Sequence, residues 1–532
     1  MAATQCARSQ AVGSVPEPVS DQGEVIAFLS KGLAFGLPDQ LVERIDTHAA
    51  IVFLIGDRAY KLKRAVRYSF LDFSTVEKRH RVLESEYRLN VRTAPDLYRR
   101  LIPVTCDVGG CLALEGKGEI VDWLLEMSRF DQAVLLDHLA EQGRLDAPLI
   151  EALASEIADL HQKAPVRRGG GYEAMASIVE GNAGDLASLT DDIGKSETIA
   201  LLIDATRSEL SRQRERVDRR VDAGFVRHCH GDLHLGNIYL DGVRPVLFDC
   251  LEFDEALATI DVIYDLAFLL MDLRHRKLDS LAVDLLNAYL DRTEDDDGMA
   301  LMPLFLTVRA TIRAKIEGFE IKTAGSEEER EKHRLAAIQY LDLARDLLSV
   351  ESPALIAIGG LSGTGKSTVA RLLAHRLGQR RWPLVLRSDV IRKHLSGVEP
   401  TTQLSPEAYS WSHSADVYRH LRKRTETLLR AGRAVIVDAT FLDPAERTRI
   451  EALADDLDVP FQGIWLDAPR NILESRIQER HGDASDADVD VLSKQLERDL
   501  GDMTWTLVDA GKGADQVAID IHVGIFDPKF GG

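Results

Sequence analysis

The chain has 532 residues, of which 45% are hydrophobic and 28% are charged. This is the composition of ordinary globular protein, and the length is too great for one hydrophobic core. The net charge is −21, and nearly all of the acidic excess precedes Pro353, because the chain from there onward carries 23 Lys and Arg against 26 Asp and Glu. Such a balance argues against a general binder of nucleic acid or of anionic membranes.

Cysteine usage and hydropathy narrow the class of protein further. The five cysteines are scattered without CxxC spacing, which indicates reduced thiols and no thiolate zinc site. We find no apolar run long enough to span a bilayer and no signal sequence at the start, so we expect a cytoplasmic protein with no membrane partner. Residues 1–20 are small, polar and Pro-containing, which predicts a disordered tail.

The first part of the chain is predicted to form two lobes, of about 21–127 and 128–350. Ile51–Lys63 has the pattern of a β-hairpin around Gly56-Asp57, Thr75–Thr93 has helical spacing, and Val121–Met127 has the pattern of a strand that leads into a connector. From Leu135 to Leu348 most segments are helical. A β-rich part followed by a helix-rich part is typical of an α+β, two-lobed domain.

A second domain is expected over 351–532. A charged amphipathic helix over Glu327–Leu348 ends at Ser349–Pro353, the best boundary in the chain. After it, buried-strand patterns such as Ala354–Gly360 alternate with helical stretches. This alternation predicts a three-layer α/β domain with a parallel sheet.

The strand at Ala354–Gly360 runs into a sequence that fits GxxxxGK[ST]. Glycines let consecutive backbone N–H groups turn inward around phosphate oxygens, the lysine reaches the β- and γ-phosphates, and the serine hydroxyl can coordinate Mg²⁺. The predicted nucleotide-binding residues are Gly360, Leu361, Ser362, Gly363, Thr364, Gly365, Lys366, Ser367 and Thr368. The spacing and context leave little room for a glycine turn without a ligand.

The segment Ser388-Asp389-Val390-Ile391-Arg392 follows the second strand of this domain. Here the chain resembles P-loop small-substrate kinases, a set that includes zeta-toxin-like kinases, gluconate kinases, chloramphenicol phosphotransferase and polynucleotide 5′-kinases. The resemblance implies that Asp389 takes the proton of the acceptor hydroxyl and that Arg392 holds the acceptor. The alternative is an aspartate that caps the next helix beside an exposed arginine.

Three further residues complete the predicted P-loop site. Asp438 ends a strand and is placed like a Walker B acid that would hold Mg²⁺, the alternative being an acid in a turn. Arg476 and Arg480 lie four apart on one helical face. They resemble the lid arginines that neutralise the transferring phosphoryl group, although surface arginines at this spacing are common.

In the first domain, His230-Gly231-Asp232-Leu233-His234-Leu235-Gly236-Asn237 places an Asp and an Asn five residues apart, as in the HRDxxxxN catalytic loop. Asp232 can orient the acceptor hydroxyl and receive its proton, and Asn237 can offer an oxygen to Mg²⁺. Asp249 follows a short strand twelve residues later, where kinases place a second metal-binding Asp. A metal cluster of the neighbouring histidines is the weaker alternative.

These residues resemble the aminoglycoside phosphotransferase and choline-kinase branch of the protein-kinase-like fold, which commonly shows HGDxxxxN, a strand that ends in Asp, and then DLA. Asp265 begins that last element, and we expect it to support the loop. The resemblance implies a bilobal protein-kinase-like domain in front of the P-loop domain.

The family also has a strand lysine that grips the nucleotide phosphates and pairs with a helix glutamate. Lys61 and Lys63 point to one face of their strand. Comparison with the family pattern favours Lys63, with Glu86 as its partner and Glu84 as the alternative. No GxGxxG precedes them. The connector at Trp123–Met127 is expected to hold adenine, the alternative being an apolar strand that belongs only to the core.

Together these patterns predict a bifunctional phosphotransferase that uses ATP and Mg²⁺ at two sites and transfers phosphoryl groups to small-molecule hydroxyl acceptors. Two alternatives stay open. The first domain can be a kinase-like sensor that regulates a P-loop ATPase or kinase, or the second can be a polynucleotide 5′-kinase, which the missing basic surface makes less favoured. The sequence does not choose the acceptors or the oligomeric state.

Overall fold

The computed structural model describes residues 21–47, 49–68, 71–169, 171–252, 255–349, 352–479 and 484–525. The predicted tail over 1–20 lies outside these residues. The chain divides into a first unit, residues 1–276 and 301–348, and a second unit, residues 277–300 and 349–532. Among the helices of the described residues, none combines the length and the apolar character that a membrane span requires.

The first unit begins with a six-stranded antiparallel sheet in the order β1-β2-β3-β8-β6-β7. The predicted hairpin is confirmed, since two strands pair around Gly56, whose φ of +55° suits a glycine in the turn. The elements are α1 (Gly23–Leu29), β1 (Glu43–Asp46), β2 (Ala50–Ile55), β3 (Arg58–Lys63), β4 (Arg67–Tyr68), β5 (Leu71–Asp72), α2 (Val76–Asn90), β6 (Tyr98–Cys106), β7 (Leu112–Leu114) and β8 (Glu119–Ser128).

Alternation along β2 builds the core of this sheet, because Ile51, Phe53 and Ile55 are each at most 1% exposed and lie on one face. Helix α2 covers a neighbouring cluster around Leu83. Thr75 caps this helix by accepting a hydrogen bond from the backbone N–H of Lys78 at 3.3 Å. The helix therefore starts where the sequence predicted, and it brings Glu86 under the sheet.

The rest of the first unit is helix-rich, as predicted. Its elements up to residue 276 are α3 (Leu136–Glu141), α4 (Ala147–Lys163), α5 (Tyr172–Ser188), α6 (Thr190–Ile193), α7 (Ser196–Arg212), α8 (Arg214–Asp222), β9 (Val226–His228), β10 (Ile238–Asp241), β11 (Arg244–Leu247), α9 (Glu255–Ala258), β12 (Thr259–Asp261) and α10 (Val262–His275). Next along the chain come α11 (Asp279–Thr293), which belongs to the second unit, and then α12 (Met302–Thr323) and α13 (Glu327–Leu348) of the first. Helix α10 is buried on every side from Val262 to Leu273, which fixes the loop between β9 and β10 that it supports.

The second unit has a five-stranded parallel sheet in the order β14-β15-β13-β16-β17. This confirms the predicted α/β class. Its elements are β13 (Leu355–Gly360), α14 (Lys366–Arg381), β14 (Leu384–Arg387), α15 (Ser388–Leu395), α16 (Trp411–Arg430), β15 (Val435–Asp438), α17 (Pro444–Asp456), β16 (Phe461–Asp467), α18 (Arg470–Glu479), α19 (Val489–Leu496), β17 (Thr506–Asp509) and α20 (Ala514–Ile525). Because the strands are parallel, the residues that follow β13, β14 and β15 meet at one edge of the sheet.

The structure differs from the predicted domain division at residues 277–300, which the sequence grouped with the first domain. Asn287 of α11 accepts a hydrogen bond from Val385 N at 2.7 Å and donates one to Pro383 O at 3.3 Å, along the open edge of β14. Asp284 lies 2.7 Å from His375 Nε2 of α14. The segment therefore fills hydrogen-bonding positions that an edge strand would otherwise expose.

Candidate active sites

The predicted catalytic loop of the first unit lies between β9 and β10. Asn237 Nδ2 donates to the backbone oxygen of Asp232 at 2.9 Å and to its Oδ2 at 3.0 Å. Asp232 is 3% exposed and Asn237 is fully buried. The five-residue spacing thus brings the amide onto the carboxylate.

Asp265 supports this loop from α10, as predicted. Its two carboxylate oxygens accept the backbone N–H groups of His230 at 3.0 Å and of Gly231 at 2.9 Å. Burial raises the pKa of Asp265, but its hydrogen bond with His161 and nearby cations outweigh burial and bring this pKa below its usual value. Gly231 has a φ of +82°, and a Cβ there would lie 2.8 Å from that of Leu251, so only glycine fits.

Two histidines of the loop are bonded to the protein backbone. His230 Nε2 lies 2.9 Å from the carbonyl oxygen of Phe248, and His234 Nδ1 accepts the backbone N–H of Gly236 at 3.1 Å. The first of these bonds also joins the loop to the strand before Asp249. Backbone bonds from Phe248 N to Asn237 O at 3.0 Å and from Leu251 N to His230 O at 2.8 Å strengthen that connection.

A buried charge network joins β3, α2 and the turn after β11. Lys61 Nζ lies 2.5 Å from Glu86 Oε1 and 3.0 Å from Asp249 Oδ1. Lys63 Nζ lies 2.7 Å from Glu86 Oε2 and 2.6 Å from Glu252 Oε1. Both lysines therefore reach Glu86, but Lys61, and not the preferred Lys63, also contacts Asp249.

Glu86 is the glutamate that both lysines contact, and it is fully buried, whereas Glu84 is exposed. Burial by itself raises the pKa of Glu86, but the two lysines outweigh burial and lower this pKa to about 2. Burial by itself lowers the pKa of Lys61, but Asp249 and Glu86 outweigh burial and raise this pKa above its usual range. Burial raises the pKa of Glu252. Glu252 is a member of the network that the sequence reasoning missed.

The oxygen atoms of this site fit a magnesium ion. Asn237 Oδ1 is buried and has no hydrogen-bond partner among the described residues, which is the state expected of a metal-ligand atom. Asp249 follows Phe248, whose backbone N–H donates to Asn237 O, and has an unusual φ of +59°. Carboxylate and amide oxygens are the donors that Mg²⁺ prefers. Lys61 adds the positive charge that a nucleotide phosphate requires.

The glycine-rich loop of the second unit follows the central strand β13. Gly360, Gly363 and Gly365 have φ values of +144°, +85° and +84°, and a Cβ on Gly363 would lie 2.7 Å from the backbone oxygen of Leu473. Helix α14 starts at Lys366, whose Nζ donates to Leu361 O at 2.9 Å. The backbone thus adopts the turns that an anion cradle at a helix N-terminus requires.

A cavity of about 930 Å³ opens over this loop and is lined by most of the predicted P-loop site. Ser367 Oγ donates to Asp438 Oδ2 at 2.6 Å. Burial raises the pKa of Asp438, against the effect of neighbouring cations. The predicted residues on its wall are Ser362, Gly363, Thr364, Gly365, Lys366, Ser367, Thr368, Asp389, Arg392, Asp438 and Arg476. A hydroxyl and a carboxylate beside the cradle are suitable ligands for Mg²⁺.

Asp389, the predicted proton acceptor, lines the cavity from the first turn of α15, where no side-chain cap bond is formed. Arg392 is 8% exposed, so the alternative of a helix-capping aspartate beside an exposed arginine does not match the structure. Its Nη1 donates to Ala408 O at 2.7 Å, and its guanidinium lies 4.7 Å from the Tyr409 ring centroid. The arginine is therefore held in place on the wall that it shares with Asp389.

Arg476 reaches the glycine-rich loop, donating to Thr364 O at 3.5 Å and to Lys512 O at 3.1 Å. Arg480 lies outside the described residues, so its role stays a prediction. The sequence reasoning missed two contacts here. Gln495 accepts the N–H of Ser362 at 2.8 Å, and Asp486 Oδ2 accepts from Tyr409 Oη at 2.6 Å.

The comparisons with known proteins agree with this geometry. Residues 77–302 match the family model described as "Phosphotransferase enzyme family", and residues 355–499 match the model described as "AAA domain". The chain therefore joins a domain of the phosphotransferase family to a P-loop kinase domain. It is an enzyme of the kinase and phosphotransferase class.

Relatives cover most of the chain. An uncharacterized protein of Mycobacterium tuberculosis and one of Mycobacterium bovis are each 29% identical over 469 residues, which span 86% of this chain and 90% of each relative.

Among solved structures, a gluconokinase from Sinorhizobium meliloti is similar at 22% identity, with 32% of this chain and 91% of that chain covered and a TM-score of 0.23. A choline/ethanolamine kinase family protein from Mesorhizobium loti is similar at 11% identity, with 60% and 99% covered and a TM-score of 0.35.

Proposed function

We propose that the protein is an ATP- and Mg²⁺-dependent phosphotransferase with two nucleotide sites, each of which transfers the γ-phosphoryl group to a hydroxyl of a small molecule. The observation that carries this proposal is the arrangement in the second unit. The phosphate cradle, the Ser367–Asp438 pair and the acceptor-side residue Asp389 belong to one cavity of about 930 Å³. Such a cavity is large enough for a nucleotide and a small acceptor together.

In the second unit, the backbone N–H groups of the glycine-rich loop and Lys366 bind the phosphates, and Ser367 with Asp438 holds the metal. A bound Mg²⁺ neutralises charge on the phosphates. The oxygen of the acceptor hydroxyl bonds to the γ-phosphorus, and Asp389 accepts the hydroxyl proton. The bond between the γ-phosphorus and the oxygen that bridges it to the β-phosphate breaks, so that ADP leaves. Arg476, within reach of the loop at Thr364 O, stabilises the charge of the transferring group.

In the first unit, the same division of roles falls to different residues. Lys61, fixed by Glu86, binds phosphate. Asn237 and Asp249 hold Mg²⁺, and Asp232 accepts the hydroxyl proton of the second acceptor. The hydrogen bond from Asn237 Nδ2 orients the Asp232 carboxylate, and Asp265 holds the loop that carries both.

The test uses the full chain and γ-labelled ATP with a metabolite extract, followed by mass identification of the labelled products. We expect Asp232→Asn and Asp389→Asn each to remove a different product while ATP binding by calorimetry stays largely intact. An Asp222→Asn variant, which changes an exposed acid at the end of α8 outside both proposed sets, is the matched control. Full transfer by both single variants would falsify the proposal.

One observation favours the alternative in which the first domain regulates the second. Residues 277–300 lie within the stretch matched to the phosphotransferase family, yet they fold as part of the P-loop unit. If Asp232→Asn left every labelled product in place but changed the rate of the P-loop reaction, the regulatory function would replace the first catalytic one.

A further inference from the structure

A second cavity of the P-loop unit, of about 500 Å³, shares Arg392 with the cavity over the glycine-rich loop. Its wall comes largely from one face of α16, where residues spaced three, four and seven apart are neighbours. The charged and titratable residues on this wall are Arg392, His413, Asp416, Arg419, His420 and Lys423. Five of the six carry or can carry positive charge.

The acids near this wall do not balance its cations. Asp416 lies 2.5 Å from Arg419, and Glu294 lies 3.0 Å from His420 Nε2. His413 Nδ1 is hydrogen-bonded to Ser410 Oγ at 2.8 Å. Lys423 forms no ion pair within the described part of the chain. A positive excess therefore remains in a protein whose net charge is −21.

Arg392 gives the second, independent indication of a ligand. It is 8% exposed, and its Nε is a buried donor with no hydrogen-bond partner among the described residues. Its Nη1 is already used by Ala408 O and Ser414 Oγ. A buried charged donor that lacks an acceptor is costly. An anion at the border of the two cavities would supply that acceptor in the geometry that guanidinium groups favour.

We propose that the second cavity is an anion subsite for the acceptor of the P-loop kinase domain. The acceptor hydroxyl lies at Asp389, and a phosphate, sulfate or carboxylate on the same small molecule binds between Arg392, Arg419 and Lys423. This inference rests on the proposed function of the P-loop unit and adds the class of its acceptor. The substrate is an anionic hydroxyl compound, in contrast with an uncharged sugar.

The first experiment uses inorganic phosphate as the probe, with the full chain saturated by MgAMP-PNP so that the nucleotide sites are filled. Binding is followed by line broadening in phosphorus NMR. We expect Lys423→Ala and Arg419→Ala each to weaken phosphate binding about tenfold, the usual effect of losing a hydrogen bond to a charged group. Arg430→Ala, which removes an exposed cation of the same helix outside the cavity, should change nothing. Phosphate binding that is absent, or unaffected by both cavity variants, overturns the subsite.

The second experiment compares glycerol with glycerol 3-phosphate and glucose with glucose 6-phosphate on the same MgAMP-PNP-saturated protein, by calorimetry. The anionic member of at least one pair should bind about tenfold more tightly, and Lys423→Ala should remove that preference. Equal affinities within both pairs contradict the inference. Tighter binding of a 5′-hydroxyl oligonucleotide with a steep salt dependence would assign the cavity to a nucleic-acid backbone instead.

The two proposals can fail separately. AMP-PNP binding and its loss in Lys366→Ala report on the proposed nucleotide site, whereas phosphate binding reports on the cavity beside it. Normal nucleotide binding together with no phosphate binding removes the subsite and leaves the kinase function in place.

Discussion

Replacement of Glu86 by glutamine tests the buried charge network of the first unit. The carboxylate is fully buried and contacts both Lys61 and Lys63. Its pKa is lowered from 4.5 to about 2 in the folded protein. Because a lowered carboxylate pKa favours the folded state wherever the group is ionised, this contribution is complete above about pH 4.5 and is lost as the pH falls through about 2.

The shift in the pKa of Glu86 corresponds to a stabilisation on the order of 3 kcal/mol at pH 7. Linkage over the same interval predicts that about 2 kcal/mol of it is lost between pH 6 and pH 3. Glu86→Gln should therefore lower the free energy of unfolding by about 3 kcal/mol at pH 7 and by only about 1 kcal/mol at pH 3. The lysines keep their other partners, Asp249 and Glu252, so the cost should not reach that of an abandoned buried cation.

Urea unfolding at both pH values measures these differences, and hydrogen exchange of peptides from β3 and α2 assigns them to the first unit. Glu84→Gln changes an exposed glutamate of the same helix and should leave both values unchanged. The reasoning is refuted if Glu86→Gln matches the wild type at pH 7, or if its deficit is the same at pH 3 as at pH 7.

Three further changes separate the roles of neighbouring residues. Lys61→Met should reduce phosphoryl transfer by the first domain about 10²-fold, and Lys63→Met far less, since only Lys61 contacts both Glu86 and the proposed metal ligand Asp249. Initial rates with labelled ATP measure this, and equal losses would contradict it. Asp438→Asn should abolish the part of AMP-PNP affinity that depends on Mg²⁺, which calorimetry with and without the ion measures. If Mg²⁺ still strengthened AMP-PNP binding as much as in the wild type, the assignment of Asp438 would be wrong. Asn287→Ala should destabilise the second unit by about 1–2 kcal/mol and raise hydrogen exchange in β14, whereas Ser280→Ala on the exposed start of α11 should do neither.

The parts of the two candidate sites that could be predicted from the sequence are formed by residues close together along the chain. The glycine-rich loop and the Asp232–Asn237 pair lie within a few residues of chain, so spacing alone determines which groups meet. Asn237 reaches Asp232 because five residues of loop return on themselves, and positive φ values at Gly363 and Gly365 follow from the lack of a side chain.

The choice between Lys61 and Lys63 could not be made from the sequence. Strand alternation puts both on one face, and both do contact Glu86. Only the position of the turn after β11, which brings Asp249 to one lysine and Glu252 to the other, separates them. Such a long-range register has no local signal.

The packing of α11 against β14 could not be predicted from the sequence for a related reason. An amphipathic helix shows which of its faces is covered but not which partner covers it. The contacts of Asn287 with β14 join residues almost a hundred positions apart. The same holds for Gln495 at the glycine-rich loop.

Because residues 277–300 belong to the second unit, that unit cannot finish folding until the chain after residue 349 has been made. During synthesis, α11 emerges well before β14, and at about 5–20 residues per second the delay is roughly 5–20 s. Over that interval the nascent helix has no strand to cover. A product that stops near Leu348 would carry α11 without the strand edge it covers, and one that starts at Pro353 would expose that edge, so neither half of the gene encodes a finished domain.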